Sequence, residues 1–358
     1  MLKVYSKELI FNTKSMWKNT LTLLLIPFLV YSQENIKFSE TIIIEDLQRH
    51  LNILASDSLE GRETGKPGQK MAADYIMNHF KDIGIPPYKK NTYYQKFKVK
   101  SGRHLCKCDD CDVSLVKKIF KNKKKIKGEN VLGYIEGSDL KEELIVITAH
   151  YDHLGKHDSL IFNGADDDGS GTVAAMEIAE AFMLAKKAGN GPRRSVLIMP
   201  VSGEEKGLLG SKYYANNPIY PLESTVANLN IDMIGRIGDF KDNPNYVYLI
   251  GSDMLSTELH NISEDVNKKH IGLELDYTFN KEDDPNRYYY RSDHYNFAKN
   301  NIPVIFYFNG LHEDYHKVTD TVEKINFKKI ETIARLVFLT AWELANRDER
   351  IVVDKEEN

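Results

Sequence analysis

Cysteine is scarce in this chain. Only three occur in 358 residues, all within Cys106-Lys107-Cys108-Asp109-Asp110-Cys111. That spacing invites a zinc reading, but no fourth soft ligand lies close, although His104 is two residues away. A local disulfide and unpaired thiols stay open as readings, because spacing alone cannot settle bond geometry. A surplus of charge of one sign is also lacking. The formal net charge of -4 gives no electrostatic reason to expect nucleic acid as a partner. Lysines gather at 117–127 with no aromatics interleaved in a stacking pattern, which reads as a solvated face. The apolar run at 21–31 is too short to cross a membrane, so no stable membrane insertion is expected. Several local catalytic signatures are missing too. Ser202 lacks the Gly-x-Ser-x-Gly setting of a serine hydrolase. Gly207 and Gly210 form no dinucleotide or phosphate loop.

What is present is an ordinary globular composition, 42% hydrophobic and 28% charged, in a chain long enough for one large domain. The run at 21–31 follows Lys14 and Lys18 and precedes a cleavage position near Ser32, which is the pattern of a signal peptide over 1–32. Met16 gives that signal a tighter start. No cysteine sits at the cleavage point to take a lipid. Export to the periplasm or the medium is therefore expected.

Residues 36–55 and 71–80 carry helical spacing, with a Gly- and Pro-rich loop at 59–68 between them. Strand patterns at 97–100 and 130–136 flank the Cys- and Lys-rich insertion near 101–128. A βα rhythm follows. Buried strands are expected at 144–148, 195–201, 226–231 and 303–308, and helices at 172–184, 207–215 and 325–344. This predicts a three-layer α/β/α sandwich around a mixed, largely parallel sheet. No internal repeat is visible and no composition break compels a second domain, so 35–347 reads as one domain. The charged tail 348–358 is expected to fray. Loops near 236–250 and 276–292 are expected to wall the pocket, and Tyr288-Tyr289-Tyr290 either line it or pack beneath it.

Hard divalent metals take imidazole nitrogen and carboxylate oxygen. Such groups arrive at one strand end after another. His150 ends the strand at 144–149, with Asp152 two residues on. Asp166-Asp167-Asp168 packs like charges ahead of a helix, which is costly unless a cation or the helix N-terminus compensates. Glu204-Glu205 follows the next strand, and Asp232 ends another. His316 comes late, in a loop after 306–309. In open α/β sheets ligands gather beyond the carboxyl ends of the strands. Taken singly, each of these residues has an ordinary role as a cap, a turn or a surface group. Their joint arrival argues for a metal site, and one glutamate of the adjacent pair could serve as a base while the other ligates.

The same stretches resemble the secreted and bacterial co-catalytic di-zinc aminopeptidases, a family of zinc exopeptidases. The likeness spans roughly 48–345. It rests on Ala149-His150-Tyr151-Asp152-His153, Gly164 to Gly171, Ser202-Gly203-Glu204-Glu205, Asn230-Ile231-Asp232-Met233, Arg291-Ser292-Asp293-His294 and Tyr315-His316 with Asp320. The resemblance implies two Zn2+ ions per subunit. His150 and Asp232 would hold one, Glu205 and His316 the other, and Asp167 would bridge them through a residue pair whose bond to Asp168 is cis. It also implies Glu204 as general base, Asp152 as the group orienting His150, Tyr315 steadying the tetrahedral oxygen and Arg291 positioning substrate. For Arg291 a structural ion pair is an equal reading. The implied substrates are peptides or proteins with a free N-terminus. Rivals are a di-metal carboxypeptidase or dipeptidase, for which Arg291 could grip a carboxylate. A glutaminyl cyclase shares the fold but generally uses one zinc. An inactive extracellular binding module on the same scaffold would be expected to lack ligands, and none is missing. The oligomeric state is not readable.

Overall fold

A computed structural model describes residues 35–89, 91–100, 125–281 and 283–355. The expected signal at 1–32 and the cysteines at 106–111 lie outside these residues. The chain runs through helices α1 (Ile44–Leu54) and α2 (Pro67–Asp82) and then strands β1 (Tyr94–Lys100), β2 (Lys125–Val131), β3 (Gly133–Ile135), β4 (Leu140–His150), β5 (Gly155–His157) and β6 (Leu160–Phe162). Helix α3 (Gly171–Lys187), β7 (Arg194–Val201), α4 (Leu209–Asn216), β8 (Thr225–Ile231) and β9 (Tyr246–Ile250) follow. The remainder is α5 (Thr257–Val266), β10 (Glu274–Asp276), β11 (Val304–Phe308) and α6 (Phe327–Asn346).

Seven strands form the central sheet in the order β10-β9-β11-β8-β4-β7-β3. The middle run β11-β8-β4-β7 is parallel, while β9 and β3 pair antiparallel with their inner neighbours. The expected mixed, largely parallel sheet is therefore present. Every residue of β7, β8 and β11 is buried, as strands covered on both faces must be. Their side chains alternate between two cores. Ile145, Ile147 and Ala149 pack with α3 and α6, whereas Leu144 and Val146 pack with Leu197, Met199 and Tyr214 on the other face. Aromatic contacts tie α3 to α6, with the Phe182 and Phe338 rings 4.8 Å apart. These layers make the α/β/α sandwich.

The parallel run matters for function. His150 pairs with Val201, and Thr148 with Asn230, so the ends of β4, β7 and β8 lie side by side. The loops leaving those ends share one edge of the sheet.

Three expectations need correction. The strand expected at 130–136 is interrupted at Leu132, leaving β2 to pair with β1 and β3 with β7. The segment 236–250 is not all loop: Tyr246–Ile250 forms β9, with each residue buried. The tail does not fray through 355. Arg350 donates to the Glu223 and Thr225 carbonyls, Ile351 is buried, and Asp354 N–H bonds the Leu255 carbonyl.

Candidate metal centre

The turn Ala165–Ser170 between β6 and α3 carries three successive buried aspartates, and each has a different task. Asp168 is fully committed to main chain. Its carboxylate accepts from His150 N (3.1 Å), Gly171 N (2.9 Å) and Met233 N (3.1 Å). It thereby ties the ends of β4 and β8 to the start of α3. A carboxylate so occupied is a strut, although it lies close to His150 and Asp232. Asp166 accepts from Gly235 N at 2.6 Å and faces His312 Nε2 at 3.2 Å.

Asp167 is the one aimed at the cluster. Its Oδ1 lies 3.2 Å from His150 Nε2, and its Oδ2 lies 3.1 Å from His316 Nε2. His150 Nε2 also faces Asp232 Oδ1 at 3.5 Å, and His316 Nε2 faces Glu205 Oε2 at 3.3 Å. One carboxylate thus presents each oxygen to a separate histidine–carboxylate pair. The peptide bond between Asp167 and Asp168 is cis, as the resemblance implied. All five ligand candidates, His150, Asp167, Glu205, Asp232 and His316, come together.

These spacings fit metal ions. Four ligand atoms about 2.0–2.1 Å from a tetrahedral zinc stand about 3.3 Å from one another. The orphaned atoms point the same way: among the described residues, Asp167 Oδ2, Glu205 Oε1 and both ring nitrogens of His153 are buried without a hydrogen bond. Buried polar atoms without partners are costly unless an ion or water meets them. The electrostatics agree. Burial opposes charge on His150, yet the Asp232 and Glu204 carboxylates push its imidazole well above its ordinary range. Burial would raise Asp167, but His153, His150 and His316 hold it well below. Burial would raise Glu205 as well, and the His316 charge instead brings it down to about 2. The cluster calls for positive charge, and divalent ions held by imidazole and carboxylate would supply it.

Glu204 stands apart from both pairs. Its Oε2 is 3.9 Å from His150 Nε2, and burial raises its carboxyl well above the usual range, helped by Glu205, Asp232 and Asp293 and opposed by His150. Asp152 departs in detail from the expected part. His150 Nδ1–H donates to the Asp152 main-chain carbonyl at 3.0 Å, while the Asp152 carboxylate is 3.9 Å away. That carboxylate accepts instead from Thr64 Oγ1 (2.5 Å) and Glu204 N (3.3 Å). Asp152 therefore braces both His150 and the Glu204 loop. The ring of Tyr315 stacks on His316, with centroids 3.8 Å apart. The Arg291 guanidinium lies 5.0 Å from the Tyr288 ring centroid, and its charge bears on Tyr315. Tyr288 and Tyr289 are buried, and Tyr290 is exposed, so the tyrosine triplet mostly packs beneath the loop.

Several supporting residues had no expected role. His153 Nδ1 sits 2.8 Å from Glu205 Oε1 and 3.8 Å from Asp167 Oδ2. Its signal was its place beside His150 and Asp152. Ser292 Oγ donates to Asp232 Oδ2 at 2.7 Å and accepts from Asn230 Nδ2 at 2.8 Å. Asp320 accepts from Asp166 N and Asp167 N across 154 and 153 residues. The buried Arg62 donates to the carbonyls of Leu54, Tyr151, Asn163 and Gly164. It joins the end of α1, the loop after β4 and the entry to the aspartate turn. Arg62→Met would leave those carbonyls without their donor, and each buried unpaired group costs about 1–3 kcal/mol. A stability loss of about 3 kcal/mol or more is expected in urea unfolding. A loss under about 1 kcal/mol would show that water replaces the guanidinium.

The family model described as Peptidase family M28 matches residues 130–341. A probable leucine aminopeptidase of Trichophyton verrucosum is 30% identical over 213 residues, covering 57% of this chain and 55% of its own. Another, of Arthroderma otae, is 28% identical over 288 residues, covering 77% of this chain and 74% of its own. The chain thus spans only about half the length of the first of these relatives. Among solved structures, the Legionella pneumophila LapA aminopeptidase superposes with a TM-score of 0.67 at 23% identity, covering 89% of this chain and 75% of that one. At that identity the likeness speaks for the fold.

Proposed function

The chain belongs to peptidase family M28, and from that membership we propose that it is an aminopeptidase that uses two zinc ions to hydrolyse the first peptide bond of peptides or proteins. The supporting observation is the double presentation of Asp167, one oxygen toward His150 and Asp232, the other toward His316 and Glu205. Each pair with its share of Asp167 gives a mixed imidazole and carboxylate set of the kind zinc accepts. Bound there, the ions would polarise the scissile carbonyl and acidify a water.

The remaining work falls to the chain's own groups. Glu204 lies outside the ligand pairs and holds its proton more tightly than an ordinary glutamate, which suits a base that must accept a proton and give it back. It takes the proton of the attacking water and returns one to the leaving amine. Asp152 and Ser292 keep His150 and Asp232 oriented through the bonds described above. The acidic surroundings hold the substrate's free α-ammonium. Tyr315, stacked on His316, steadies the oxygen of the tetrahedral state, and Arg291, whose charge bears on Tyr315, positions substrate. In this reading 35–347 is one peptidase domain, and the pattern at 1–32 supports export to the periplasm or medium.

A panel of free and N-acetylated peptides, assayed with and without chelator and restored zinc, tests the proposal. Free peptides should be cleaved at least tenfold faster, and chelation should abolish both rates. Equal cleavage of blocked peptides would remove the aminopeptidase reading. A preference for a free C-terminus would instead favour the carboxypeptidase reading, with Arg291 as the carboxylate grip. Release of pyroglutamate from N-terminal glutamine, without hydrolysis, would favour the cyclase.

A further inference from the structure

A second cluster of metal-ligating groups lies among the helices, away from the sheet edge. His50 on α1, His79 on α2 and Glu177 on α3 each bring one ligand atom within 4.8 Å of the others. Glu177 is six residues into α3, which puts it about 9 Å along the axis from that helix's first residue. The side chains of His50 and Glu177 are each 2% exposed. We propose that His50, His79 and Glu177 form a structural divalent-metal site that clamps the two N-terminal helices to α3.

The geometry of His50 carries the argument. Its Nδ1 lies 2.6 Å from the Tyr75 hydroxyl, and its Nε2 lies 3.1 Å from Glu177 Oε1. At such a distance a hydrogen bond would be expected. Yet neither His50 Nε2 nor Glu177 Oε1 makes one among the described residues, so the two atoms are close without being aligned. Two atoms that ligate one tetrahedral ion stand about 3.3 Å apart and direct their lone pairs at a third point. The Tyr75 hydroxyl fits the same scheme. Accepting the Nδ1 proton, it leaves the Nε2 lone pair for the ion, as the outer partners of metal-bound histidines do.

His79 completes the set. Its ring stands edge-on to His50, with centroids 4.7 Å apart. Its Nε2 donates to the Met176 carbonyl at 3.3 Å, which leaves the other nitrogen as a lone-pair donor. Glu180, one turn beyond Glu177, has an oxygen 4.0 Å from that same Nε2, beside the nitrogen turned to Met176, so a water rather than Glu180 would fill a fourth position. Two imidazoles with a carboxylate suit zinc or a neighbouring transition metal rather than calcium or magnesium. Burial supports the assignment, since it drives the His50 imidazole down to about 4 and the Glu177 carboxyl up to about 8. A simple ion pair would therefore be poorly supported here, whereas a divalent ion takes the neutral imidazole as it stands and stabilises the ionised Glu177 carboxylate.

The competing arrangement is a protonated Glu177 sharing its proton with His50. Glu177→Gln separates the two, because a glutamine amide can donate to His50 Nε2 but cannot supply an anionic ligand. The full chain, stripped with chelator and reloaded with zinc, should bind one equivalent more than E177Q by elemental analysis. Zinc should also raise the wild-type melting temperature further than that of E177Q, while peptidase activity is kept. Because the count is a difference, it does not depend on how many ions the other centre holds or on whether the peptidase assignment stands. Equal zinc content in wild type and E177Q would overturn the site. If E177Q does not fold, His79→Gln at the outer side of the cluster serves in its place, with the same reading of either outcome.

Discussion

Glu204→Gln is expected to keep its zinc and lose about 10²- to 10⁴-fold in kcat, the range that a positioned general acid or base contributes. Two features lead to that result. The ligand pairs do not use Glu204, whose Oε2 stands 3.9 Å from His150 Nε2. Glutamine also keeps the shape of the side chain, and the main-chain bond from residue 204 to Asp152 is untouched. Metal content should therefore match wild type by elemental analysis. The carboxyl itself is held well above the usual range by burial and by Glu205, Asp232 and Asp293. That makes it a stronger base than a solvated glutamate, and glutamine cannot carry a proton at all. KM should change little, since no substrate contact is asked of this group. A variant with near wild-type turnover would remove Glu204 from the proton transfer. A variant that lost zinc would show instead that the residue is a ligand.

The ligand candidates were legible in the sequence because type and position coincide. His150, Glu205 and Asp232 each leave the end of an apolar run, and a parallel sheet brings such ends to one edge. The braces were not legible, since they depend on contacts across the chain. Asp320 reaches back 153 residues to the Asp167 amide, and Arg62 reaches forward 102 to the Gly164 carbonyl. No periodicity records such pairings. β9 was missed because five residues after an Asn- and Pro-containing loop give too short a pattern, and its burial comes from β11 beside it. Helix α5 did carry a local sign, Ser256 accepting from Leu259 N as a cap, but its sequence mixes polar and apolar residues too evenly to stand out. The tail read as frayed because its charges were visible and its partners were not. Arg350 finds its carbonyls 125 and 127 residues upstream.

Asp167→Ala is expected to abolish both zinc sites and activity together. Altering a group that merely orients a ligand already weakens metal binding about 10- to 100-fold. Asp167 faces both histidine–carboxylate pairs, so its loss should cost more than about 100-fold at each. Its neighbour supplies the contrast. Asp168 spends its oxygens on the amides of His150, Gly171 and Met233, so replacing it should lower stability first and metal affinity only through that. Asp167 accepts no such set of amides, and its Oδ2 has no hydrogen bond among the described residues. Asp167→Asn keeps the shape and removes the charge, which guards against a variant that simply fails to fold. Both variants should hold little zinc by elemental analysis while their far-ultraviolet circular dichroism stays close to that of wild type. Full zinc occupancy in either folded variant would end the bridging assignment. Loss of one ion with the other retained would make Asp167 a ligand of a single metal, and two independent sites would then have to replace the shared centre.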